Sequence, residues 1–113
     1  MPIFDTKNIE LTARVVERFR ALADENRIRI LARLQQGPAN VTTLTRELAV
    51  NQASVSKHLA VLRQAGLVSF HRQGAQAVYS ISDPSVETMC KLVCEGVREH
   101  FRRQHTALQK TPR

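Results

Sequence analysis

The sequence predicts a mainly α-helical fold with one small β-hairpin, in the order α-α-α-α-β-β-α. The stretch 51–66 is the strongest evidence for this fold. Its apolar residues Val55, Leu59 and Leu62 recur at the spacing of one helix face. A shorter amphipathic segment precedes it at residues 41–49, and two β-rich runs separated by a glycine follow it. Helix, turn, helix and hairpin in this order are typical of a winged helix-turn-helix.

The composition predicts a single globular domain over residues 1–113 that favours polyanions. The chain has 17 Lys and Arg against 10 Asp and Glu, which gives a net charge of +7. Aromatic residues make up only 4%, so the core must consist mainly of Leu, Val, Ile and Ala. No stretch approaches the roughly 18 apolar residues of a membrane span, and the N-terminus lacks a signal-peptide core. We therefore expect a soluble, cytoplasmic protein.

Two helices are predicted to open the chain. The first covers about residues 9–22, and the second begins after the capping residue Asp24 and is stopped by Gly37 and Pro38. Six arginines lie on these two helices: Arg14, Arg18, Arg20, Arg27, Arg29 and Arg33. We interpret most of them as a solvated face, with a minority touching phosphates at the edge of a DNA site.

The recognition helix is predicted at about residues 52–65, capped by Asn51 and ended in a left-handed turn by Gly66. Its face opposite the apolar stripe carries hydrogen-bond donors and no acid: Gln52, Ser54, Ser56, Lys57 and Arg63. The N-terminal residues of such a helix enter the major groove of DNA, so we predict that the first four of these contact DNA. Residues 41–80 contain a single acid, Glu47, so little in this region repels phosphate.

A wing is predicted at about residues 67–81. The β-rich runs Leu67–Phe70 and Ala77–Ile81 are joined by HRQGAQ, with Gly74 at the bend. Polar side chains are expected beside this tip: His71, Arg72, Gln73 and Gln76. We predict that Arg72 touches a phosphate or the minor groove, with the glutamine after it as a second contact. An ordinary polar hairpin tip is the alternative.

The last helix is predicted at about residues 84–104, with Asp83 as its cap and Pro84 at its first position. An apolar stripe runs along it at steps of three and four: Val86, Met89, Cys90, Val93, Cys94, Val97 and Phe101. So small a domain has little left for this stripe to cover, so we expect part of it to bury against a second copy of the chain. Residues 106–113 are expected to fray.

Two cysteines offer thiol chemistry in the last helix. Cys90 and Cys94 lie four residues apart, so they share one helix face at about 6 Å along the axis. Thiolates select soft ions such as arsenite, antimonite, cadmium or lead, and they also oxidise or take up persulfide. Two ligands are too few for tight metal binding, so a third would come from a second chain, the N-terminal region, or His100 or His105. The alternative is that both cysteines are only packed as small hydrophobic residues.

Three segments together resemble the ArsR/SmtB family of repressors: RALADENRIRILARL, ASVSKHLAVLRQAGLV and the hairpin end AVYSI. The resemblance covers roughly residues 13–101. It implies a two-fold dimer formed by the first and last helices. It also implies a DNA contact from His58, for which a half-buried packing role is the alternative.

Two features of that family are missing from this chain. Many arsenic- or cadmium-sensing members carry a Cys-x-Cys-type motif in the first helix of the helix-turn-helix, but the matching residues 42–50, TTLTRELAV, contain no cysteine. Zinc-sensing members place Asp and His pairs along the last helix. Here Asp83, His100 and His105 do not reproduce the full spacing. What remains is the dithiol in the last helix as a sensor, or no inducer at all.

We therefore predict a sequence-specific DNA-binding transcriptional regulator, a repressor that a thiol-reactive inducer acting at Cys90 and Cys94 releases from a near-palindromic operator. It requires no cofactor, and its inducer would be arsenite, cadmium, another soft metal ion, or a reactive sulfur or oxygen species. The predicted DNA-binding residues are Gln52, Ser54, Ser56, Lys57, His58, Arg72 and Gln73. The alternatives are a constitutive or architectural DNA-binding protein with purely structural cysteines, and a module that binds another protein through its last helix.

An enzyme is not expected. The sequence has no Gly-rich phosphate loop, no HExxH, no G-x-S-x-G and no clustered carboxylate pair. Ser54, Ser56 and His58 superficially resemble a nucleophile and its base, but no acid is placed to orient the histidine.

Overall fold

The computed structural model describes residues 4–109 of the chain. Its elements are α1 (Ile9–Leu22), α2 (Glu25–Leu34), β1 (Ala39–Asn40), α3 (Val41–Leu48), α4 (Gln52–Gln64), β2 (Val68–Gln73), β3 (Gln76–Ile81) and α5 (Pro84–Gln109). The three strands form one antiparallel sheet in the order β1-β3-β2. Five helices with a small sheet confirm the predicted fold class.

Each of the first four helices begins at an Asx cap. The side-chain oxygens of Asn8, Asp24, Asn40 and Asn51 each accept a hydrogen bond from the backbone N–H three residues later, at 2.8–3.1 Å. Such a cap satisfies one of the unpaired N–H groups of the first turn and stabilises a helix by about 1 kcal/mol. The start of each helix before α5 is therefore determined by residues that are close together in the sequence.

Gly66 ends α4 in the predicted left-handed turn. Its φ is +81°, and its N–H donates to the carbonyl of Arg63 at 2.9 Å. The N–H of Leu67 donates to the carbonyl of Leu62, also at 2.9 Å. These two bonds form a Schellman motif, which only a residue tolerant of positive φ closes without strain. The turn sends the chain from the recognition helix directly into the wing.

The core of the unit that ends at Asp83 is aliphatic, as the composition predicted. It is built from α2, α3, α4 and the start of β2, and its fully buried members are Ile30, Leu44, Val55, Leu59, Leu62, Leu67 and Val68. The predicted inner face of α4 is thus completely covered. The rest of the chain from Pro84 is a separate unit consisting of α5, a single helix of 26 residues.

Three details differ from the sequence predictions. The sheet has a third strand, β1, whose residues Ala39 and Asn40 pair with Tyr79 and Val78 of β3. Two residues are too short to produce a periodic signal, so β1 could not be predicted.

The helix α5 continues to Gln109, five residues beyond its predicted end, so residues 106–109 are helical. The remaining residues 110–113 of the tail that was expected to fray lie outside the described residues.

The hairpin turn is also shorter than predicted. The strands β2 and β3 continue to Gln73 and Gln76, leaving only Gly74 and Ala75 between them, where a six-residue link was expected. Gly74 has a φ of +66°. A positive φ at the first of two turn residues is typical of a type II′ turn, whose twist matches that of the strands. Side chains that were expected at a loose tip are therefore held in register.

Candidate nucleic-acid interface

The N-terminal half of α4 presents a polar face while its other face is held by the core. Gln52, Ser56 and Lys57 are exposed, and Ser54 is half-buried beside the capping residue. Residues four apart on a helix share a face, so Gln52 and Ser56 project from the same side one turn apart. The unpaired N–H groups of this first turn add a partial positive charge. Together these features make a surface that can donate hydrogen bonds to DNA.

The only carboxylate between residues 41 and 80, that of Glu47, is paired with arginines at the protein surface. Arg33 Nε lies 2.6 Å from Glu47 Oε1, and Arg46 Nη2 lies 4.0 Å from the other carboxylate oxygen. Lys57 and Arg72 are exposed and make no ion pair within the described residues. The surface around α4 and the wing is therefore positive, as phosphate binding requires.

Arg72 and Gln73 lie in β2 near the end of the wing, opposite Ala77 and Gln76 of β3. Both are exposed. Successive side chains of a strand point to opposite faces of the sheet, so these two predicted DNA contacts leave the wing on different sides. Arg72 shares its side with Phe70.

The wing is tied to the start of α3 through Asn40. The side-chain oxygen of Asn40 accepts from the backbone N–H of Thr43 at 2.8 Å, and its amide nitrogen donates to the side-chain oxygen of Gln76. The same residue also pairs with Val78 in the sheet. This second role of Asn40, the bond to Gln76, was not predicted from the sequence. An asparagine before the segment VTTLTREL is a helix-start signal, but nothing in the sequence names its second partner.

A second connection joins the wing to the end of the recognition helix. The guanidinium carbon of Arg63 lies 5.0 Å from the ring centre of Phe70, whose ring lies 5.4 Å from that of Tyr79. A cation over an aromatic face contributes about 0.5–1 kcal/mol at an exposed site. Arg63 was predicted on the donor face of α4, and the structure places its charge over the wing.

His58 is half-buried on α4, with 18% of its side chain exposed. Its Nδ1 lies 3.3 Å from Arg27 Nη1 and 3.9 Å from Asp24 Oδ1. The recognition helix thus touches the beginning of α2 through a polar contact as well as through the core.

The arginines of α2 donate to backbone carbonyls at or just beyond helix ends, so their interpretation as a solvated face fits the exposed Arg29 and is incomplete for the half-buried Arg27 and Arg33. Arg27 donates to the carbonyls of α1's last turn, and Arg29 Nη2 donates to the Leu48 carbonyl at the end of α3 at 2.7 Å. Arg33 Nη1 donates to the Gly37 carbonyl at 3.0 Å. Helix-terminal carbonyls attract cations, so Arg27 and Arg29 stabilise the ends of α1 and α3, whereas Arg33 holds the loop that follows its own helix.

The two cysteines of α5 are free and differ in exposure: Cys90 is half-buried and Cys94 is exposed. Burial raises the pKa of the Cys90 thiol, and the neighbouring Cys94 raises it further. Across residues 4–109, no three His, Cys, Asp or Glu side chains are grouped so as to hold a metal ion. His105, one of the predicted third ligands, has its Nδ1 3.0 Å from the Phe101 carbonyl.

Exposed apolar side chains occur on both α1 and α5. On α1 they are Ile9, Leu11, Val16 and Phe19, and on α5 they are Leu92, Val93, Val97 and Phe101, each 39–82% exposed. No helix in the described part of the chain is long and apolar enough to cross a membrane. Such faces on a water-exposed surface are typical of protein–protein contacts.

Comparisons with known proteins agree with this architecture. The family model of the bacterial regulatory proteins of the arsR family matches residues 24–69, from the cap of α2 into β2. The chain is 40% identical to the HTH-type transcriptional regulator NmtR of Mycobacterium tuberculosis over 77 residues, which are 68% of this chain and 64% of NmtR. It is 34% identical to the arsenical resistance operon repressor of Bacillus subtilis over 83 residues, 73% of this chain and 79% of the repressor.

A solved structure extends the likeness to most of the fold. The homodimeric winged helix-turn-helix DNA-binding domain Mb0332 of Mycobacterium bovis superposes with a TM-score of 0.80 at 28% identity. The superposition covers 93% of this chain and 97% of that domain.

Proposed function

The chain belongs to the ArsR family of bacterial regulatory proteins, and we propose that it acts as a homodimeric repressor whose operator binding is controlled by thiol chemistry on α5. The family's members and this chain's relatives are DNA-binding transcriptional regulators, not enzymes. We propose three further points: that the protein represses transcription, that a thiol-reactive species induces it, and that specific residues contact the DNA. It also places the protein in the cytoplasm, where operator DNA lies.

The observation that carries the proposal is the polar, acid-free face of α4. Its opposite face is fully buried, so the helix is fixed in place while Gln52 and Ser56 remain available. The amide of Gln52 suits the edge of an adenine, and the Ser56 hydroxyl can bond either a base or a phosphate. We assign base reading to these two residues and a supporting role to Ser54, which is half-buried.

Phosphate contacts are assigned to Lys57 and Arg72, two exposed cations that make no ion pair within the described residues. Lys57 follows Ser56 on α4, and Arg72 extends the same function onto the wing. Gln73 is assigned a contact with the sugar-phosphate backbone, since an amide can donate to a phosphate oxygen. His58 is assigned a DNA contact through the exposed part of its ring, while its Nδ1 lies beside Arg27 of α2.

We propose that two copies assemble through the exposed apolar faces of α1 and α5. The support is the exposure of these faces in a single chain and the homodimeric state of the Mycobacterium bovis domain. A two-fold dimer that reads DNA with two recognition helices places them about 34 Å apart, one turn of the double helix. The operator is then an inverted repeat with half-sites about 10 base pairs apart, centre to centre.

For the inducer we propose a thiol-reactive species that acts first at Cys94. Cys94 is exposed in the single chain, whereas the raised pKa of Cys90 leaves its thiol protonated and less reactive. Because the described part of the chain groups no third metal ligand with these thiols, a metal or arsenite ion would need a ligand from the second copy. Binding there would shift the dimer towards a conformation with lower DNA affinity. A coupling of about 1–3 kcal/mol is typical of such switches.

A constitutive DNA-binding protein is the second candidate, and one observation favours it. Cys90 is half-buried on an apolar stripe and has a raised pKa, as expected of a packing residue. In that case DNA binding would be insensitive to thiol reagents.

Release experiments separate the two candidates. The reduced protein is bound to a fluorescent duplex selected from a random library, and arsenite, cadmium or a persulfide donor is added at fixed salt. Release by one reagent, lost in Cys90→Ser and Cys94→Ser proteins, supports the inducible repressor and identifies the inducer class. Binding unaffected by all three reagents supports the constitutive protein. A reporter gene downstream of the selected operator then shows whether binding represses transcription.

A further inference from the structure

We infer that Arg27 is a positioning residue of the DNA-reading surface, because it holds His58 of the recognition helix in one tautomer and joins it to the end of α1. The inference rests on the proposed function, since it concerns a side chain assigned to DNA contact. It adds a residue from outside the helix-turn-helix to the reading machinery.

The guanidinium of Arg27 is anchored first to α1. Its Nε donates to the Ala21 carbonyl at 2.7 Å, and its Nη2 donates to the Arg20 carbonyl at 3.2 Å. Both carbonyls belong to the last turn of α1, and that of Arg20 also accepts from the backbone N–H of the capping residue Ala23 at 3.2 Å. With two of its N–H groups bonded to backbone, the planar group is fixed in position, since its donors are rigid with respect to one another.

The remaining nitrogen, Nη1, lies 3.3 Å from Nδ1 of His58. A guanidinium only donates hydrogen bonds, so Nδ1 of His58 must accept. The ring proton of the neutral imidazole is then on Nε2, and protonation at Nδ1 would set two donors against each other. Arg27 therefore selects the tautomer of this histidine that carries its proton on Nε2.

The carboxylate of Asp24 also lies near this contact, but it is too far from the His58 ring to fix the tautomer in place of Arg27. Its Oδ1 accepts from the backbone N–H of Arg27 at 3.1 Å as the cap of α2. The same oxygen is 3.9 Å from His58 Nδ1, beyond hydrogen-bond distance. The carboxylate thus fixes the turn that carries Arg27, while the guanidinium makes the closer contact with the ring.

The contact between Arg27 and His58 affects both the hydrogen bond that His58 can offer DNA and the link between α1 and the recognition helix. A His58 ring fixed as Nε2–H offers DNA one donor, which suits a phosphate oxygen or a base acceptor. Because the same guanidinium holds the end of α1, a movement of that helix changes the restraint on a recognition-helix side chain. Two polar contacts thus connect a proposed dimerisation helix to the DNA surface: the carbonyls of α1 bond to Arg27, and Arg27 bonds to His58.

The test uses Arg27→Lys, which keeps the charge and removes the fork of donors. Its matched control is Arg29→Lys: Arg29 also donates to a helix-terminal carbonyl, that of Leu48, but makes no described contact with His58. The tautomer of His58 is read in the free protein by two-bond ¹H–¹⁵N correlation spectra of the imidazole. DNA affinity is measured by anisotropy on a duplex selected by the wild-type protein.

We expect the wild-type His58 ring to be in the Nε2–H form. Arg27→Lys should give a mixture of tautomers and about tenfold weaker DNA binding, the effect of losing one hydrogen bond to a charged group. Arg29→Lys should change neither. A wild-type Nδ1–H ring, or equal losses of affinity in the two variants, would overturn the inference.

A second comparison covers the case in which Arg27→Lys does not fold. His58→Asn keeps an acceptor where Nδ1 lies, whereas His58→Ala removes it. If Arg27 bonds to this atom, the folded His58→Asn protein should unfold at a higher urea concentration than His58→Ala, while both should lose DNA affinity because neither keeps the Nε2 donor. Equal urea midpoints, or wild-type DNA affinity in both variants, would count against the inference. Failure of the wild-type protein to select any duplex would instead defeat the proposed function, while the tautomer measurement in free protein would still decide the role of Arg27.

Discussion

Asn40 and Gln76 are joined by a hydrogen bond between their side chains, although they lie 36 residues apart. Asn40 is also the cap of α3, so one amide side chain both starts the first helix of the helix-turn-helix and holds the wing. The orientation of the wing relative to that helix is therefore set by a specific bond as well as by the sheet.

The two roles of Asn40 can be separated by substitution. Asn40→Ser keeps a good cap but is too short to reach Gln76, so we expect stability within about 0.5 kcal/mol of wild type and weaker DNA binding. Asn40→Ala loses both roles and should also be destabilised by about 1 kcal/mol. Urea unfolding and anisotropy on the same samples measure the two effects. Wild-type DNA affinity in Asn40→Ser would show that the bond to Gln76 does not position the wing.

The two cysteines should differ in reactivity. Since its raised pKa lowers the thiolate fraction of Cys90, Cys94 should be alkylated first at about pH 7. The rate at Cys90 should rise as the pH is raised towards the pKa of its thiol. Mass spectrometry of each peptide after a timed iodoacetamide pulse gives both rates. Equal rates at neutral pH would remove Cys94 as the proposed first site of induction.

Acid should destabilise the protein in part through Asp24. The hydrogen bond from the Arg27 backbone N–H lowers the pKa of Asp24 below its ordinary value. A carboxyl with a lowered folded pKa stabilises the fold above the unfolded pKa of about 3.9, and this stabilisation is lost as pH falls through the folded pKa. Asparagine caps a helix equally well and does not titrate.

The comparison is therefore between wild type and Asp24→Asn, from about pH 7 to about pH 2.5, with urea midpoints measured at each step. We expect the wild-type midpoint to fall further than that of Asp24→Asn below about pH 4. Parallel curves over the whole range would contradict a stabilising carboxylate at this cap.

Much of the fold is written locally and could be predicted. Asn51 and Gly66 bound α4 by cap chemistry and by positive φ, and the periodic Val55, Leu59 and Leu62 are fully buried. These signals depend on residues that are close together in sequence. They are visible without knowledge of the tertiary structure.

What could not be predicted depends on distant partners. Arg27 and Arg29 were interpreted as solvated because a charged residue on a helix looks the same whether it faces water or a backbone carbonyl. Carbonyls are present at every position, so the sequence does not show which of them an arginine will bind. The extension of α5 to Gln109 has a local reason: residues 105–109 include no glycine or proline to end the helix.

The central claim, that the N-terminal face of α4 and the wing read DNA, is tested most directly by anisotropy on a selected duplex with Ser56→Ala and Arg72→Ala proteins. Both residues are exposed, so neither change should unfold the protein. We predict that Ser56→Ala weakens binding to the selected duplex more than to a scrambled one. Arg72→Ala should weaken both and reduce the slope of log affinity against log salt by about 0.9. Unchanged affinity in both folded variants would contradict the assignment of the reading surface.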